Sequence, residues 1–370
     1  MKTKRNIDET MPARGFHPGE DIRDEIDARE ELTQGELARN LGMKPSQLNE
    51  IIKGKRNITP GLAILLEEAL GIDKEYWMNA QKQYDLDKAR ISKSVQERVL
   101  ALETWKSLKS CLPVKDFRRQ KIITDDPVKD LPELKKIYGT LNTEAIKSQI
   151  QEPVAGYYRK SEQLEVNMTN LTGWKQLVKY KASQVKITCE FDNTSANSLV
   201  ESLHEIFRQN NNTKSKVKAL LESYGILMVY QPHFEKTPVD GYSFVSGRNP
   251  VIAMSLRHKR IDNFAFTLFH ELGHVYLHLL RNLHTEFLDI QDSYRGSDNL
   301  EEQEANAFAA NHLIPPKSWQ SFFERYPRFN DEIIIAFAKK QQVHPAIVFG
   351  RLCFETGNYK RRTSIGKVLR

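Results

Sequence analysis

The chain has 370 residues, and this length predicts two or three domains because single cores seldom grow beyond ~250 residues. Net charge is +7, with 18 basic and 12 acidic residues over 91–190 but 15 and 17 over 1–90. The stretch "KTKRNIDET" lacks the apolar region of a signal peptide, and no run reaches the ~18 apolar residues of a membrane span. The odd number of scattered cysteines (Cys111, Cys189 and Cys353) suits a reducing compartment. Composition argues against a membrane or disulfide-rich secreted protein and predicts a cytoplasmic location.

Short helices separated by tight turns are predicted for the first part of the chain. In "LTQGELARNLG", Thr33 and Glu36 have capping-box spacing, which predicts a helix over 34–40. Gly42 supplies a turn, and Pro45 begins the next helix, "PSQLNEIIKG". A further capped helix, "GLAILLEEAL", follows. Two short helices joined by a tight turn predict a helix-turn-helix.

Polar side chains lie at the amino end of the second helix, where such a unit contacts base edges in the major groove. The candidate base contacts are Lys44, Ser46, Gln47 and Asn49. The candidate phosphate contacts are Gln34, Lys53, Lys55 and Arg56. A small helical bundle with a solvated basic loop is the alternative, but the spacing, caps and polar face together favour DNA binding.

Residues 15–90, including "HPGEDIRDEIDAREELTQGELARNLGMKPSQLNEIIKGKRNITPGLAILLEEALG" and "EYWMNAQKQYDLD", resemble the Xre-type, lambda-repressor-like helix-turn-helix of HigA-type antitoxins. The resemblance implies a homodimer that binds palindromic double-stranded operator DNA and represses its own toxin and antitoxin genes. The segment departs from this pattern in being slightly acidic overall. Tight DNA binding would then depend on its clustered lysines and arginine, or on the basic middle segment.

Residues 91–190 are predicted to be a mostly helical connector without a catalytic motif, possibly for dimerisation or partner contact. Within it, "YYRK" at residues 157–160 could form an interaction surface. Buried tyrosines beside a solvated basic pair are the favoured interpretation.

Mixed helix and strand is predicted over residues 191–318, with "ILMVYQ" as one strand and "GYSFVSGRNPVIAMSL" as two more. In "FTLFHELGHVYLH", apolar residues at helical spacing predict a helix over 263–280. His270 and His274 lie one turn apart on it, so both imidazoles can bind a single Zn²⁺. Glu271 is placed to act as a general base. His278 lies about 12 Å of helical rise from the first histidine, so it is not a ligand of the same ion.

A third ligand is predicted in "DNLEEQEANAFAANHLIPP". Asp298 could cap a helix there, and the small residues of that helix would allow close approach to the helix that carries the histidines. Helical periodicity favours Glu302 as the ligand and leaves Glu304 as a competitor.

The paired motifs "FTLFHELGHVYLH" and "EEQEANAFAANHLIPP" resemble the ImmA/IrrE family of zinc metallopeptidases over residues 225–318. The resemblance implies a thermolysin-like fold, with His270, His274 and Glu302 as zinc ligands and Glu271 as general base. It also implies a protein substrate, typically an Xre-type repressor, although here the helix-turn-helix lies in the same chain. Residues 319–370, with two helices around His344 and Pro345, are predicted to be a helical cap on this domain.

The predicted fold class is multidomain and predominantly α: an N-terminal helix-turn-helix, a helical connector and a C-terminal α+β zinc metallopeptidase domain. Two functions fit. The favoured one is a DNA-binding regulator, an antitoxin or repressor, whose zinc endopeptidase cleaves a regulatory protein in trans or in cis. The other is a non-proteolytic antitoxin and autorepressor that binds a cognate toxin and uses zinc for structure or sensing. For the first, strands near residues 242–256 would pair with an extended peptide at a sheet edge, and Tyr276, Tyr294 and His278 are candidate oxyanion donors.

Overall fold

The computed structural model describes residues 14–152, 166–290, 299–326 and 328–370. The chain divides into two compact units, Met1–Trp105 and Lys106–Arg370. Among the described helices, none has the length and apolar character required to cross a membrane. The predominantly α, multidomain fold class is confirmed, with one small mixed sheet in the described part of the second unit. The finer division into four parts stays a prediction.

Short capped helices build the first unit. They are α1 (Gly19–Asp27), α2 (Gln34–Asn40), α3 (Pro45–Ile52), α4 (Pro60–Leu70), α5 (Lys74–Ile91) and α6 (Lys93–Leu108), the last of which crosses the boundary. The predicted capping box forms: the Glu36 N–H donates to Thr33 Oγ1 at 3.3 Å, and the Thr33 N–H donates to Glu36 Oε2 at 2.8 Å. Apolar faces of α2, α3 and α4 meet around the fully buried ring of Trp77 on α5. This core fixes α2 and α3 against each other as a helix-turn-helix.

The second unit surrounds a four-stranded sheet, β1 (Leu227–Tyr230), β2 (Val239–Ser246), β3 (Asn249–Met254) and β4 (Phe287–Ile290). The strand order is β1-β3-β2-β4, with β1 parallel to β3 and the other two pairs antiparallel. Its described α-helices are α7 (Val114–Arg119), α8 (Pro127–Tyr138), α9 (Thr143–Gln151), α10 (Met168–Gln184), α11 (Ala196–Gln209), α12 (Thr213–Ser223), α13 (Ile261–His274), α14 (Leu300–Leu313), α15 (Pro316–Arg325), α16 (Asp331–Lys340) and α17 (Pro345–Thr356). Short 3₁₀ turns lie at Lys109–Cys111 and Asn193–Ser195.

Helix α13 is the central helix of this unit, and it packs on α14, α17 and the sheet. It continues into a π-helical turn at Val275–Leu279. At Gly273, α13 comes so close to α14 that an added Cβ would lie 2.9 Å from the Ala305 Cα. Helix α14 begins after Asn299, whose side chain accepts a hydrogen bond from the Glu301 N–H at 2.9 Å. The predicted cap, Asp298, lies outside the described residues.

The last two helices also match their predicted positions. His344 is the N-cap of α17, and its Nδ1 accepts a hydrogen bond from the Ala346 N–H at 3.2 Å. His344 therefore has a structural role at the start of α17.

Helix α10, from the segment predicted to be a connector, packs on the sheet. The buried Trp174 ring donates from Nε1 to the carbonyls of Gln231 and Pro232 at 3.1 Å each. Nearer to β4, Glu286 accepts a hydrogen bond from the Tyr242 hydroxyl at 2.8 Å and pairs with two lysines of α10, Lys175 and Lys179. This helix therefore holds the start of β4. The neighbouring "YYRK" at 157–160 lies outside the described residues.

The Glu286 ion pairs give a prediction on stability. Burial favours the neutral acid, but Lys175 and Lys179 lower the pKa of Glu286 to about 2. Because the folded-state pKa is depressed, the stabilisation is complete above the unfolded pKa of about 4.3 and is lost as the pH falls through about 2. We expect Glu286→Gln to lower the free energy of unfolding by about 1–3 kcal/mol at pH 7 and by less at pH 3.

Urea denaturation of both proteins at the two pH values measures this difference. The control is Glu144→Gln, which removes an exposed glutamate paired with Lys147 and should change stability little. Equal stability of the wild type and Glu286→Gln at pH 7 would contradict the prediction.

Candidate metal centre

Three potential ligand atoms converge between α13 and α14. His270 Nε2 and His274 Nε2 lie 3.1 Å apart, and Glu302 places one oxygen 3.4 Å from the first and the other 3.5 Å from the second. Tetrahedral zinc with bonds of about 2.0–2.1 Å keeps its ligand atoms roughly 3.3 Å apart. Each histidine nitrogen thus has the other nitrogen and a Glu302 oxygen at about the separation that a shared zinc ion requires, and all three side chains are buried.

Some buried carboxylate oxygens at this cluster accept no hydrogen bond from the described part of the chain. Both carboxylate oxygens of Glu271 and Glu302 Oε2 are inaccessible to solvent and have no hydrogen-bond partner among the described residues. Leaving such groups unpaired is costly in a low-dielectric interior, and a cation with its bound water would satisfy them. The donor set of two imidazoles and a carboxylate is one that zinc takes in hydrolytic sites. The residues present thus fit a zinc ion.

The electrostatics of the two histidines also favour a cation. Burial disfavours the protonated form of His270, but nearby carboxylates, led by Glu302, raise the pKa of its imidazole to about 9. For His274, burial and the imidazoles of His270 and His278 hold the pKa well below its usual range. One positive charge is therefore favoured among these groups, and a divalent metal can provide it in place of the proton.

Glu271 faces the sheet rather than solvent. Burial, opposed by His270 and reinforced by Asp289, raises the pKa of its carboxyl well above the usual range. The carboxylate lies against Gly241, where an added Cβ would come within 2.1 Å of Glu271 Oε1. The pairing of β2 with β4 shifts register between Val239 and Gly241, which marks a β-bulge beside the cluster. The missing side chain and the bulge together leave room for the carboxylate.

Hydrogen bonds behind the cluster orient both imidazoles. His270 Nδ1 lies 3.0 Å from the Asn306 amide oxygen, an acceptor, so this nitrogen carries the hydrogen and Nε2 is available to a metal. His274 Nδ1 lies 3.1 Å from His278 Nδ1, and His278 Nε2 lies 2.8 Å from Glu304 Oε2. Of the two carboxylates that periodicity left open, Glu302 therefore joins the cluster and Glu304 joins His278.

Neither of the two described candidate oxyanion donors, Tyr276 and His278, has a free polar group directed at the cluster. The hydroxyl of Tyr276 lies 3.0 Å from that of Ser195, and both ring nitrogens of His278 are engaged as above. Tyr294 lies outside the described residues.

The expected peptide-binding edge is wrong in its position. The predicted strands near residues 242–256 are β2 and β3, and both lie inside the sheet. Strand β4, which the sequence analysis missed, covers β2 and forms the edge of the described sheet on that side. Its short, mixed sequence "FLDI" carries little strand periodicity.

Strand β4 also adds two residues to the site that sequence reasoning missed. The Phe287 ring stacks on the His274 imidazole with centroids 4.1 Å apart and planes inclined by 11°. Asp289 is buried, and a carboxylate oxygen of it lies within 4.8 Å of ligand atoms of His270 and Glu271. Gly241, a glycine within a strand, was the sequence feature that could have indicated the close approach.

The candidate DNA contacts lie on α2, on α3 or in the turn that follows α3, except for Lys44, which is the N-cap residue of α3. Those fully exposed are Lys44, Ser46, Lys53, Lys55 and Arg56, and those partly buried are Gln34, Gln47 and Asn49. Gln47 has a second role, because its Oε1 accepts a hydrogen bond from the Lys44 N–H at 3.2 Å and so caps α3.

Two segments of the chain match models of known protein families. A family model described as a helix-turn-helix matches residues 26–77, and the M78 peptidase model, described as an IrrE N-terminal-like domain, matches residues 221–348. The second match contains the whole cluster of histidines and glutamates.

Individual relatives are shorter than this chain. Virulence-associated protein I of Dichelobacter nodosus is 37% identical over 94 residues, which are 25% of this chain and 85% of that protein. The uncharacterised HTH-type transcriptional regulator YddM of Escherichia coli K12 is 31% identical over 72 residues, 20% of this chain and 76% of that protein. The solved Pseudomonas aeruginosa antitoxin HigA with the higBA promoter shares 32% identity, covering 22% of this chain and 90% of that one, with a TM-score of 0.21. The chain therefore belongs to the Xre-type helix-turn-helix family and carries, C-terminal to that domain in the sequence, an IrrE N-terminal-like domain of the M78 metallopeptidase family.

Proposed function

We propose that this DNA-binding regulator is a zinc endopeptidase that cleaves a regulatory protein, either another repressor or its own chain. The observation that carries the proposal is the convergence of His270, His274 and Glu302, whose facing imidazole nitrogens and carboxylate oxygens lie 3.1–3.5 Å apart, with the carboxylate of Glu271 beside them. When bound, zinc would act as a Lewis acid that activates water and polarises the scissile carbonyl. With three protein ligands, a fourth position remains for water, as in catalytic zinc sites.

Glu271 is the proposed general base. It accepts a proton from the attacking water and later delivers it to the departing amine nitrogen. Its complete burial next to the proposed ligand His270 supports this role, because a carboxylate held beside the attacking water can exchange a proton with it. The Gly241 backbone limits its movement on the sheet side. A purely structural zinc site would not need this residue.

The substrate is proposed to bind as an extended segment along β4. This strand is the described edge nearest the cluster, and Phe287 and Asp289 on it adjoin the proposed ligands. A peptide strand that pairs with this edge would gain main-chain hydrogen bonds, which would align the scissile bond with little dependence on sequence.

The DNA target is proposed to be a palindromic operator bound by a homodimer, as two-fold symmetric helix-turn-helix proteins bind paired half-sites. Ser46, Gln47 and Asn49 would contact base edges, and Lys53, Lys55 and Arg56 would contact phosphates. The exposure of these basic residues supports the assignment. Cleavage of a repressor by the same chain would link transcription to proteolysis, and an Xre-type repressor or a cognate toxin is the proposed protein partner.

Removal of the proposed base tests the peptidase. With equal zinc content, Glu271→Gln should cleave purified Xre-type repressors, or its own chain, at least about 10²-fold more slowly than the wild type, because the general base is lost and the ligands are kept. Mass spectrometry of the products measures the rate, and metal analysis measures the zinc content.

Glu301→Gln is the matched control, since Glu301 is an exposed acid on the same helix as Glu302. Equal cleavage by Glu271→Gln and the wild type would refute the assignment of the base. If neither the wild type nor Glu271→Gln cleaves a protein, and both repress transcription from the operator equally, the chain acts as a non-proteolytic antitoxin. A purified wild type that does not bind zinc would refute the metal centre itself.

Two substitutions on the helix-turn-helix separate base contacts from phosphate contacts. Asn49→Ala should weaken binding to the operator by about 1–3 kcal/mol and leave binding to unrelated DNA nearly unchanged. Lys55→Ala should weaken binding to both and reduce the slope of log K against log salt by about one. Fluorescence anisotropy over a salt series measures both effects, and the same loss on both DNAs for Asn49→Ala would contradict its role in base recognition.

A further inference from the structure

A chain of hydrogen bonds leads from the proposed metal ligand His274 to the protein surface. His274 Nδ1 lies 3.1 Å from His278 Nδ1, and His278 Nε2 lies 2.8 Å from Glu304 Oε2. The His278 side chain is 2% exposed, whereas that of Glu304 is 53% exposed. A buried imidazole therefore connects a ligand on α13 to a surface carboxylate on α14.

The positions of the hydrogens in this chain follow from its outer end. A carboxylate can only accept, so His278 Nε2 carries the hydrogen in its contact with Glu304. A neutral His278 then has a bare Nδ1, which accepts a hydrogen bond from His274 Nδ1–H. This leaves His274 Nε2 bare, and Nε2 is the atom that faces His270 and Glu302. Glu304 thus selects the tautomer of His274 that can bind a metal.

The backbone and a neighbouring ring support this arrangement. The α-helix ends at His274 and continues as a π-helical turn over Val275–Leu279. Such turns are rare in proteins overall, but those that occur are often found at functional sites. His278 lies within this turn, and its ring centroid is 5.2 Å from that of His274. Phe287 stacks on His274 and also contacts His278, with a centroid distance of 5.4 Å. The orientation of His274 is therefore set by the strand and by the π-helical turn together.

We propose that His278 and Glu304 are positioning residues that hold His274 in its metal-binding tautomer and orientation, so that a surface glutamate sets the zinc affinity of a buried site. The proposal rests on the proposed metal centre but not on proteolysis. Neither residue is among the proposed zinc ligands His270, His274 and Glu302. Groups that orient a ligand in this way typically change metal affinity by about 10–100-fold when they are removed.

The competing explanation is that Glu304 forms only a surface ion pair. An exposed pair of this kind contributes little to stability and would not affect a metal. The chain offers a matched control in Glu301, an exposed glutamate of the same helix three residues before Glu304. Alanine is the best helix former, so Glu301→Ala and Glu304→Ala change α14 equally in helical propensity.

Zinc affinity is the decisive measurement. The full-length wild type, Glu304→Ala and Glu301→Ala are titrated with zinc in competition with a chelator at fixed pH. We expect about a tenfold loss of affinity for Glu304→Ala and none for Glu301→Ala. In a His278→Gln background, Glu304→Ala should have no further effect, because the connection to His274 is already broken.

A spectroscopic measurement separates orientation from general stability. Imidazole ¹⁵N chemical shifts of the zinc-loaded protein should show that His278 is protonated at Nε2 and His274 at Nδ1. The substitution Glu304→Ala should change the ¹⁵N chemical shifts of His278. Equal zinc affinity of Glu304→Ala and the wild type would overturn the proposal. A wild-type His278 that is protonated at Nδ1 instead of Nε2 would overturn it as well. Absence of cleavage with an intact affinity difference would refute the peptidase and leave this proposal supported.

Discussion

Helix α13 can bring its histidines to Glu302 only because its backbone approaches that of α14 at Gly273, which has no side chain, and opposite the small residue Ala305. A Cβ at Gly273 would lie 2.9 Å from the Ala305 Cα and 3.2 Å from the Phe308 Cβ. The ligand atoms must come within about 3.3 Å of one another to share an ion, so a wider helix separation would leave Glu302 out of reach. Contacts from Asn306 and Glu304 to the histidine helix depend on the same approach. This contact between small residues is the constraint on which the whole cluster depends.

Local chemistry made much of this molecule predictable from its sequence. Capping residues fixed the limits of α2 and α4, because Thr33 and Thr59 satisfy N–H groups that the first helical turn leaves free. The spacing of His270 and His274 is meaningful on any helix, and it required no knowledge of the fold. The choice between Glu302 and Glu304 was different, since residues two apart on a helix point to different sides and only the crossing of α13 and α14 decides which one faces the histidines.

Features that depend on long-range pairing were beyond the sequence. Strand β4 has four residues and pairs with β2, more than forty positions earlier in the chain, so neither periodicity nor a nearby turn indicates it. Asp289 and Phe287 went unnoticed for the same reason. The packing of α10 on the sheet was also hidden, because the helical spacing of its buried residues indicates an apolar face but not the element that covers that face. Three-dimensional contacts, rather than residue types, gave these groups their place near the cluster.

If the proposed peptidase binds its substrate along β4, this strand also limits which segments can be cleaved. A segment that pairs with this edge must be extended over several residues, so a folded target has to release its own backbone hydrogen bonds first. The free energy of that local opening then enters the cleavage rate directly, and ordered helices and sheets of a target are protected in proportion to their stability. Selectivity would accordingly come from the dynamics of the target as well as from its sequence, and a ligand or partner that rigidifies a repressor would protect it from cleavage without touching the enzyme.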